Sequence, residues 1–416
     1  MLADHRIYED IMKFGRATIS ILLSFTVLGA ASSAAHAQEV KIFDKPVQLH
    51  GFGTQGFIYT DDNNWLTMNT SEGSLKFTDM GLNISSQLTP HIRVGAQGYD
   101  RELGKLGDWH PSLDWAIVDV NIKPWLGFRG GKVKTVLGLY NDKQDLDFAN
   151  TYALLPQSMY PIDLRDATIA HTGGDIYGQA RLSHALGIIQ YTAYGGHRSD
   201  SMHSGYPYLI SSYDTFLTSY GGPVFGGDFR WKMPVHGLTV GISRLNEMIT
   251  GVGITTHNGP AVPYMEYSKH DWTNQYYAQY TRDKLHVESE YRRYYRDQVI
   301  FNGFAEDMND VRGWYVAGGY RIRPWFEAGA YYSHYYDNDV LIGVVNVPLG
   351  PGMDHDYDKA VTARFDLNRF TALKIEGHFM NGFGAEPYPN GFYTTVNPGG
   401  LQLNTNALVL RTSFSF

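Results

Sequence analysis

Residues Phe128 to Asp166 read FRGGKVKTVLGLYNDKQDLDFANTYALLPQSMYPIDLRD, a strand pattern that runs into the longest aperiodic, acid-rich connection of the chain. Lys132, Lys134, Val136, Gly138 and Tyr140 alternate with Val133, Thr135, Leu137 and Leu139, which is the period of a strand with one charged and one apolar face. The connection Asn141 to Asp166 carries Asp142, Asp145, Asp147, Asp163 and Asp166 against only Lys143 and Arg165. A connection of that length in a compact domain is either functional or unstructured. The segments around it decide between the two.

Outward from this stretch the same alternation recurs. It predicts sixteen strands, at 46–60, 74–88, 91–103, 113–123, 126–140, 168–182, 187–197, 222–234, 237–248, 270–283, 285–298, 312–323, 325–336, 357–368, 370–380 and 405–416. Short turns such as Thr89-Pro90, Pro124-Trp125 and Asn368-Arg369 alternate strictly with long polar loops at 61–73, 104–112, 141–167, 198–221, 249–269, 299–311, 337–356 and 381–404. An all-β transmembrane antiparallel β-barrel of sixteen strands has this form, with short periplasmic turns and long extracellular loops. A soluble sandwich or propeller has no reason to sort its connections so.

The faces agree. Val287, Ser289, Tyr291, Arg293 and Tyr295 are expected to look outward, and Glu288, Glu290, Arg292, Tyr294 and Arg296 inward. Outward Arg293 is the misfit and fits only near the membrane interface. Phe229, Trp231 and Met233 likewise oppose Asp228, Arg230 and Lys232. The charged set is too large for a dry core, because each unpaired buried charge costs several kcal/mol. Trp125, Trp325 and Phe370 beside the short turns supply an interfacial girdle.

Composition bounds the function. The chain has 416 residues, Gly 45, Tyr 30 and charged residues at 18%, below the roughly 25% of soluble domains. There is no cysteine, which removes disulfides and thiol chemistry, and a net charge of −8 argues against nucleic acid as a partner. Residues 1–37 read as a signal peptide, with Lys13 and Arg16 before an apolar run from Ile19 to Ala31 and a small-residue site at Ala35-His36-Ala37. Met12 is the better translation start, because Asp4, Glu9 and Asp10 are foreign to the amino end of a signal. Residues 38–416 are then one outer-membrane barrel, ending in Leu408, Leu410, Phe414 and Phe416 on one face. That ending resembles the carboxy-terminal signal by which outer-membrane barrels meet their assembly machinery, with Phe416 as its terminal aromatic residue.

No catalytic constellation stands out: there is no Gly-x-Ser-x-Gly elbow, His-Glu-x-x-His or phosphate-binding Gly-rich loop. His171 and His184 read as lumen or turn residues. Asp61-Asp62-Asn63-Asn64 and Asp354-His355-Asp356-Tyr357-Asp358 lack the spacing of a calcium loop and read as turn formers. No catalytic residue, metal or cofactor is expected. The inward bases, among them Lys132, Lys134, Arg230, Lys232, Arg292, Arg296, Arg321 and Arg323, either favour anions in a pore or neutralise inward acids across neighbouring strands.

Gly131-Lys132-Val133-Lys134, Gly138-Leu139, Asp145-Leu146-Asp147-Phe148, Leu155-Pro156-Gln157 and Leu164-Arg165-Asp166 with Gly173-Gly174 resemble the central block of the phosphate-selective porin family and related organic-anion porins. The chain has Thr135-Val136 where that family usually has proline. The resemblance implies a homotrimeric channel whose third loop, about 141–167, folds into the lumen as a constriction. Lys132 and Lys134 would stand on the wall beside it, and Asp142, Asp145, Asp147, Arg165 and Asp166 within it. The expected function is a passive outer-membrane porin for small hydrophilic solutes, leaning towards anions, with outer-membrane lipid around it. A lipase-like barrel enzyme and a secreted soluble β-rich binding protein are the alternatives.

Overall fold

The computed structural model describes residues 38–42, 45–183, 185–211, 214–256, 259–268, 270–296, 299–302, 304–306, 308–340, 352–383 and 396–416. The signal peptide at 1–37 with its Met12 start, and His184, lie outside the described residues.

All sixteen alternating segments form strands: Lys45–Thr60, Ser74–Thr89, Ile92–Leu103, Ser112–Lys123, Leu126–Lys134, Ala170–Ser183, Gly187–Ser199, Thr215–Lys232, Leu238–Glu247, Asp271–Arg282, Leu285–Arg296, Met308–Arg323, Phe326–Val340, His355–Asn368, Thr371–Gly382 and Asn404–Ser415. Each pairs antiparallel with the next, and the last closes on the first from Phe52 opposite Ser415 to Thr60 opposite Ala407. The result is a closed sixteen-stranded transmembrane β-barrel with no edge left unpaired in lipid.

Register shows why this sequence closes with its oil outside. Val120, Phe128 and Ile176 sit side by side on three neighbouring strands, and so do Asp119, Arg129 and Asp175 one residue along. Phe128 and Ile176 are exposed, whereas Asp175 is buried and takes a 2.9 Å hydrogen bond from Arg129 Nε. The same division holds across the barrel, where Val316 and Tyr320 are exposed while Glu288, Glu290 and Glu376 are almost fully buried. Trp125 and Trp325 stand exposed at the short-turn end, and Trp325 lies 6.3 Å from the Phe365 ring.

The opening stretch corrects one expectation. The strand predicted over 126–140 ends at Lys134, and Thr135 to Tyr140 leave the wall with every residue buried. At Gly138 the backbone is left-handed (φ 65°), and a Cβ there would collide with Gln275 and Glu290 of the opposite wall. Alternation cannot distinguish apolar residues facing lipid from the same residues packed under a loop. Leu137 accordingly clusters with Tyr194, Val224 and Leu245 inside the barrel. Parts of the long connections also pair: Thr250–Thr255 and Val262–Ser268 form a hairpin that extends the upper half of Thr215–Lys232.

Candidate constriction site

The segment from Thr135 to Ile169 lies inside the barrel. Its two feet are clasped together, since Thr135 N–H donates to the Ile169 carbonyl (3.0 Å) and Asn141 Nδ2 donates to the carbonyls of Thr135 (2.8 Å) and Thr168 (2.7 Å). Three short 3-10 turns, Asn141–Lys143, Asp147–Ala149 and Arg165–Ala167, fold the interior of the loop. Loop backbone taken out of water must find partners, and here the wall supplies many of them.

On one side Asp145 is held between Lys134 and Arg165. Both bases also bond Asp114 of the wall, at 2.6 Å and 2.8 Å, and Gln97 Nε2 donates to Asp114 (2.9 Å) and Asp145 (3.1 Å). Burial alone would raise the Asp145 carboxyl, but Arg165 and Lys134 outweigh it and hold the group well below the usual carboxylate range. Asp147 meets Lys374 Nζ (3.0 Å) and Arg411 Nη1 (3.0 Å). Its carboxyl is likewise lowered against burial, by Arg411 and then Lys374. The amides of Ala153 and Leu154 each donate to the Glu376 carboxylate at 2.9 Å.

The far wall grips the loop equally. Leu139 N–H and Tyr160 Oη donate to Glu290 (3.0 and 2.6 Å), Tyr140 Oη donates to Glu288, and Arg292 Nη1 donates to the Met159 carbonyl (2.8 Å). Arg230 joins the Gly138 carbonyl (2.7 Å) to Asp228 (2.8 Å). Tyr140 and Tyr160 meet edge to face, 5.8 Å apart. From the long-loop end Trp65, Leu66 and Met68 pack on Ala153 and Leu154. The loop therefore crosses the lumen from wall to wall. Between it and the wall at Asp79, Tyr99 and Arg411 remains a small cavity of about 30 Å³. Towards the short-turn end a vestibule of about 500 Å³ opens, lined by Arg129, Asp142, Tyr177, Asp228 and Arg230.

The residues picked out from sequence part company in the structure. Lys134, Asp145, Asp147, Arg165 and Arg230 are drawn into the contacts just described. Asp166 lies beside them, 3.6 Å from Arg165 and 3.7 Å from Arg101, and Asp142 faces the vestibule. Arg296 pairs with Asp271 (3.1 Å), and Arg321 with Glu327 (2.5 Å) and Asp366, so these neutralise wall acids, one of which, Glu327, also accepts from Thr151 of the loop (2.6 Å). Lys132 is opposite Ala116 and Thr172 and donates to the Leu113 carbonyl (2.6 Å), with no hydrogen bond to the loop among the described residues. Lys232 and Arg323 are exposed at the short-turn end. Arg292 has no acidic partner among the described residues, and its Nε is buried without a hydrogen bond.

Sequence reasoning missed Gln97, Arg101 and Asp114. Arg101 Nη1 donates to the Ile162 carbonyl (2.7 Å), and Asp114 is the extra residue of a bulge between Gln97 opposite Trp115 and Gly98 opposite Leu113. A bulge breaks the alternation that would have flagged it. His171 is buried inside the wall, its Nδ1 2.9 Å from Thr135 Oγ1. The two acid-rich clusters show no group of three or more metal-ligating side chains among the described residues. Asp61 instead accepts from the Asn406 amide (2.7 Å), tying the first long loop to the last strand.

No family model matches the chain, and no curated protein matches it. Solved structures do. Outer-membrane expressed OmpT of Vibrio cholerae is 12% identical over 91% of this chain and 100% of its own, with a TM-score of 0.54. The outer membrane channel DcaP of Acinetobacter baumannii is 12% identical over 91% and 99%, with a TM-score of 0.55. Salmonella typhi OmpF, solved in complex with daunomycin, is 10% identical over 91% and 100%, with a TM-score of 0.55. The chain has the porin fold. At these identities the likeness extends to the whole barrel and to nothing finer.

Proposed function

We propose that the protein is a passive outer-membrane porin, through which small hydrophilic solutes diffuse past the inserted loop without covalent chemistry or a bound cofactor. The observation that carries this reading is the Thr135 to Ile169 segment, fastened inside a closed barrel by Asp145, Asp147 and the carboxylates of Glu288, Glu290 and Glu376. A loop held on both sides narrows the lumen without being free to leave it. Export by residues 1–37, assembly through Phe416 and a homotrimeric state belong to the same proposal. Trimerisation is supported by an outer hollow of about 500 Å³ lined by small and aliphatic residues such as Ala96, Ala116, Val118 and Gly130, where a neighbouring barrel could approach closely.

The lean towards anions is also proposed. Most wall bases are spent on wall or loop acids, whereas Arg292 has no acidic partner among the described residues and touches the inserted loop itself, so it is the cation assigned to act on a solute. Single-channel recording in planar bilayers tests the main reading: discrete conductance steps from purified protein are expected. Protein that gives none, or that stays soluble without detergent, overturns it.

A further inference from the structure

The misfit on the outer face, Arg293, is one of a set. It lies opposite Arg312 on one neighbouring strand and Asn274 on the other. Both guanidinium groups clasp Asp310, Arg293 at 2.7 and 3.1 Å and Arg312 at 2.7 Å. Arg244, two strands away on Leu238–Glu247, donates to Asn246 (3.0 Å) and Asn274 (3.1 Å). Arg244 and Arg293 also share the Trp272 ring, their Cζ atoms 5.1 and 5.4 Å from its centroid. All three arginines sit on the face that carries exposed Ile242, Tyr291 and Val316, the face turned to lipid, and near the long-loop ends of their strands.

Among the described residues three guanidinium groups stand against one carboxylate, an excess of positive charge on a surface where charge is costly unless it is answered. Trp272, with the Tyr295 ring 5.4 Å away, sets the depth, since such rings settle at the headgroup level. Guanidinium groups held in place on an aromatic ring are pre-organised for bidentate bonding to phosphate. We propose that Arg244, Arg293 and Arg312 form a binding site for the phosphate of an anionic lipid of the outer leaflet, the phosphorylated glycolipid of that leaflet. Trp272 would act as the platform and Asp310 would space two of the arginines. This rests on the reading of the barrel as an outer-membrane protein with its long loops outside.

The test is native mass spectrometry of the detergent-purified protein titrated with diphosphorylated lipid A, beside its fully dephosphorylated form. A saturable lipid adduct is expected that weakens on the order of a hundredfold in the R244Q/R293Q/R312Q variant, from roughly fivefold per basic residue. R312Q alone should give an intermediate loss and serves if the triple variant does not show the heat-dependent gel shift of a folded barrel. D310N removes the opposing charge and should tighten binding. Equal binding by variant and parent, equal binding of the dephosphorylated lipid, or displacement by inorganic phosphate at the lipid's own concentration overturns the proposal. Because the three arginines face away from the lumen, R244Q/R293Q/R312Q should keep the parent's conductance. Absence of conductance in the parent would count against the porin reading and leave the lipid measurement standing.

Discussion

Arg411, on the strand that closes the barrel, lies 3.0 Å from the carboxylate of Asp147 on the inserted loop. The same guanidinium reaches Asp79 on the first hairpin (2.6 Å) and the Ala153 carbonyl (2.8 Å), with Phe77 beneath it at 4.5 Å. Barrel closure and loop placement thus share one side chain. Arg411→Gln removes the base from the buried Asp79 carboxylate and one of the two bases from Asp147, a loss on the order of 3–5 kcal/mol. Lys374 still holds Asp147, so the barrel should fold but melt earlier, with a noisier and larger single-channel conductance. An unchanged melting temperature together with unchanged conductance would show that the loop does not depend on this contact.

Deleting Asp145 to Ser158 removes the middle of the loop and leaves Lys374, Arg411, Asp79 and Glu376 to compensate one another. Conductance should rise severalfold, because a water-filled bore conducts in proportion to its narrowest section. Unchanged conductance would place the rate-limiting section elsewhere while leaving the barrel intact.

The barrel was largely legible because a two-residue period repeats along every wall strand. The segment read as 285–298 is Leu285–Arg296, and that read as 370–380 is Thr371–Gly382. The strand 126–140 was overextended because Val136, Leu137 and Leu139 are as apolar under a loop as they would be against lipid. The acids of the loop were visible, but their partners were not. Asp147 could have met any of a dozen inward bases, and only register and closure bring Lys374 and Arg411 to it. Asp145 is buried in ion pairs with Lys134 and Arg165, and Asp147 with Lys374 and Arg411, so these loop acids set up little field across the lumen.

Selectivity should respond to Arg292 rather than to the lysines first singled out by their strand. Arg292→Gln removes a cation that no acid answers among the described residues, so anion-to-cation permeability, read from the reversal potential in a salt gradient, should fall about twofold or more at low ionic strength. Lys134→Glu would instead place a third carboxylate against Asp114 and Asp145 with Arg165 alone to balance them, and is expected to destabilise the barrel. Lys132→Glu, at a side chain that among the described residues bonds the Leu113 carbonyl alone, should leave the melting temperature within a degree or so of the parent. A reversal potential unmoved by Arg292→Gln would remove the reason for an anion lean.

Asp163 supplies a pH dependence whose sign is fixed by burial. Its side chain is buried in the loop, Leu164 N–H donates to it (3.0 Å), and the first residue of the helix Gly205–Ser211 lies directly on its backbone. Burial pushes the carboxyl up from 3.8 to about 6, with Arg101 pulling the other way and losing. Between those values the folded loop binds more protons than the unfolded chain, so this group favours the folded state below about pH 4 and ceases to as pH rises through 6. The loss approaches roughly 1.4 kcal/mol per pH unit within that window. Protection of the amides in the Pro161 to Ala167 segment, corrected for the base-catalysed rise of intrinsic exchange, should therefore fall from pH 4 to pH 6, and Asp163→Asn, which cannot ionise, should flatten that fall. An identical pH slope in Asp163→Asn would assign the titration to another group.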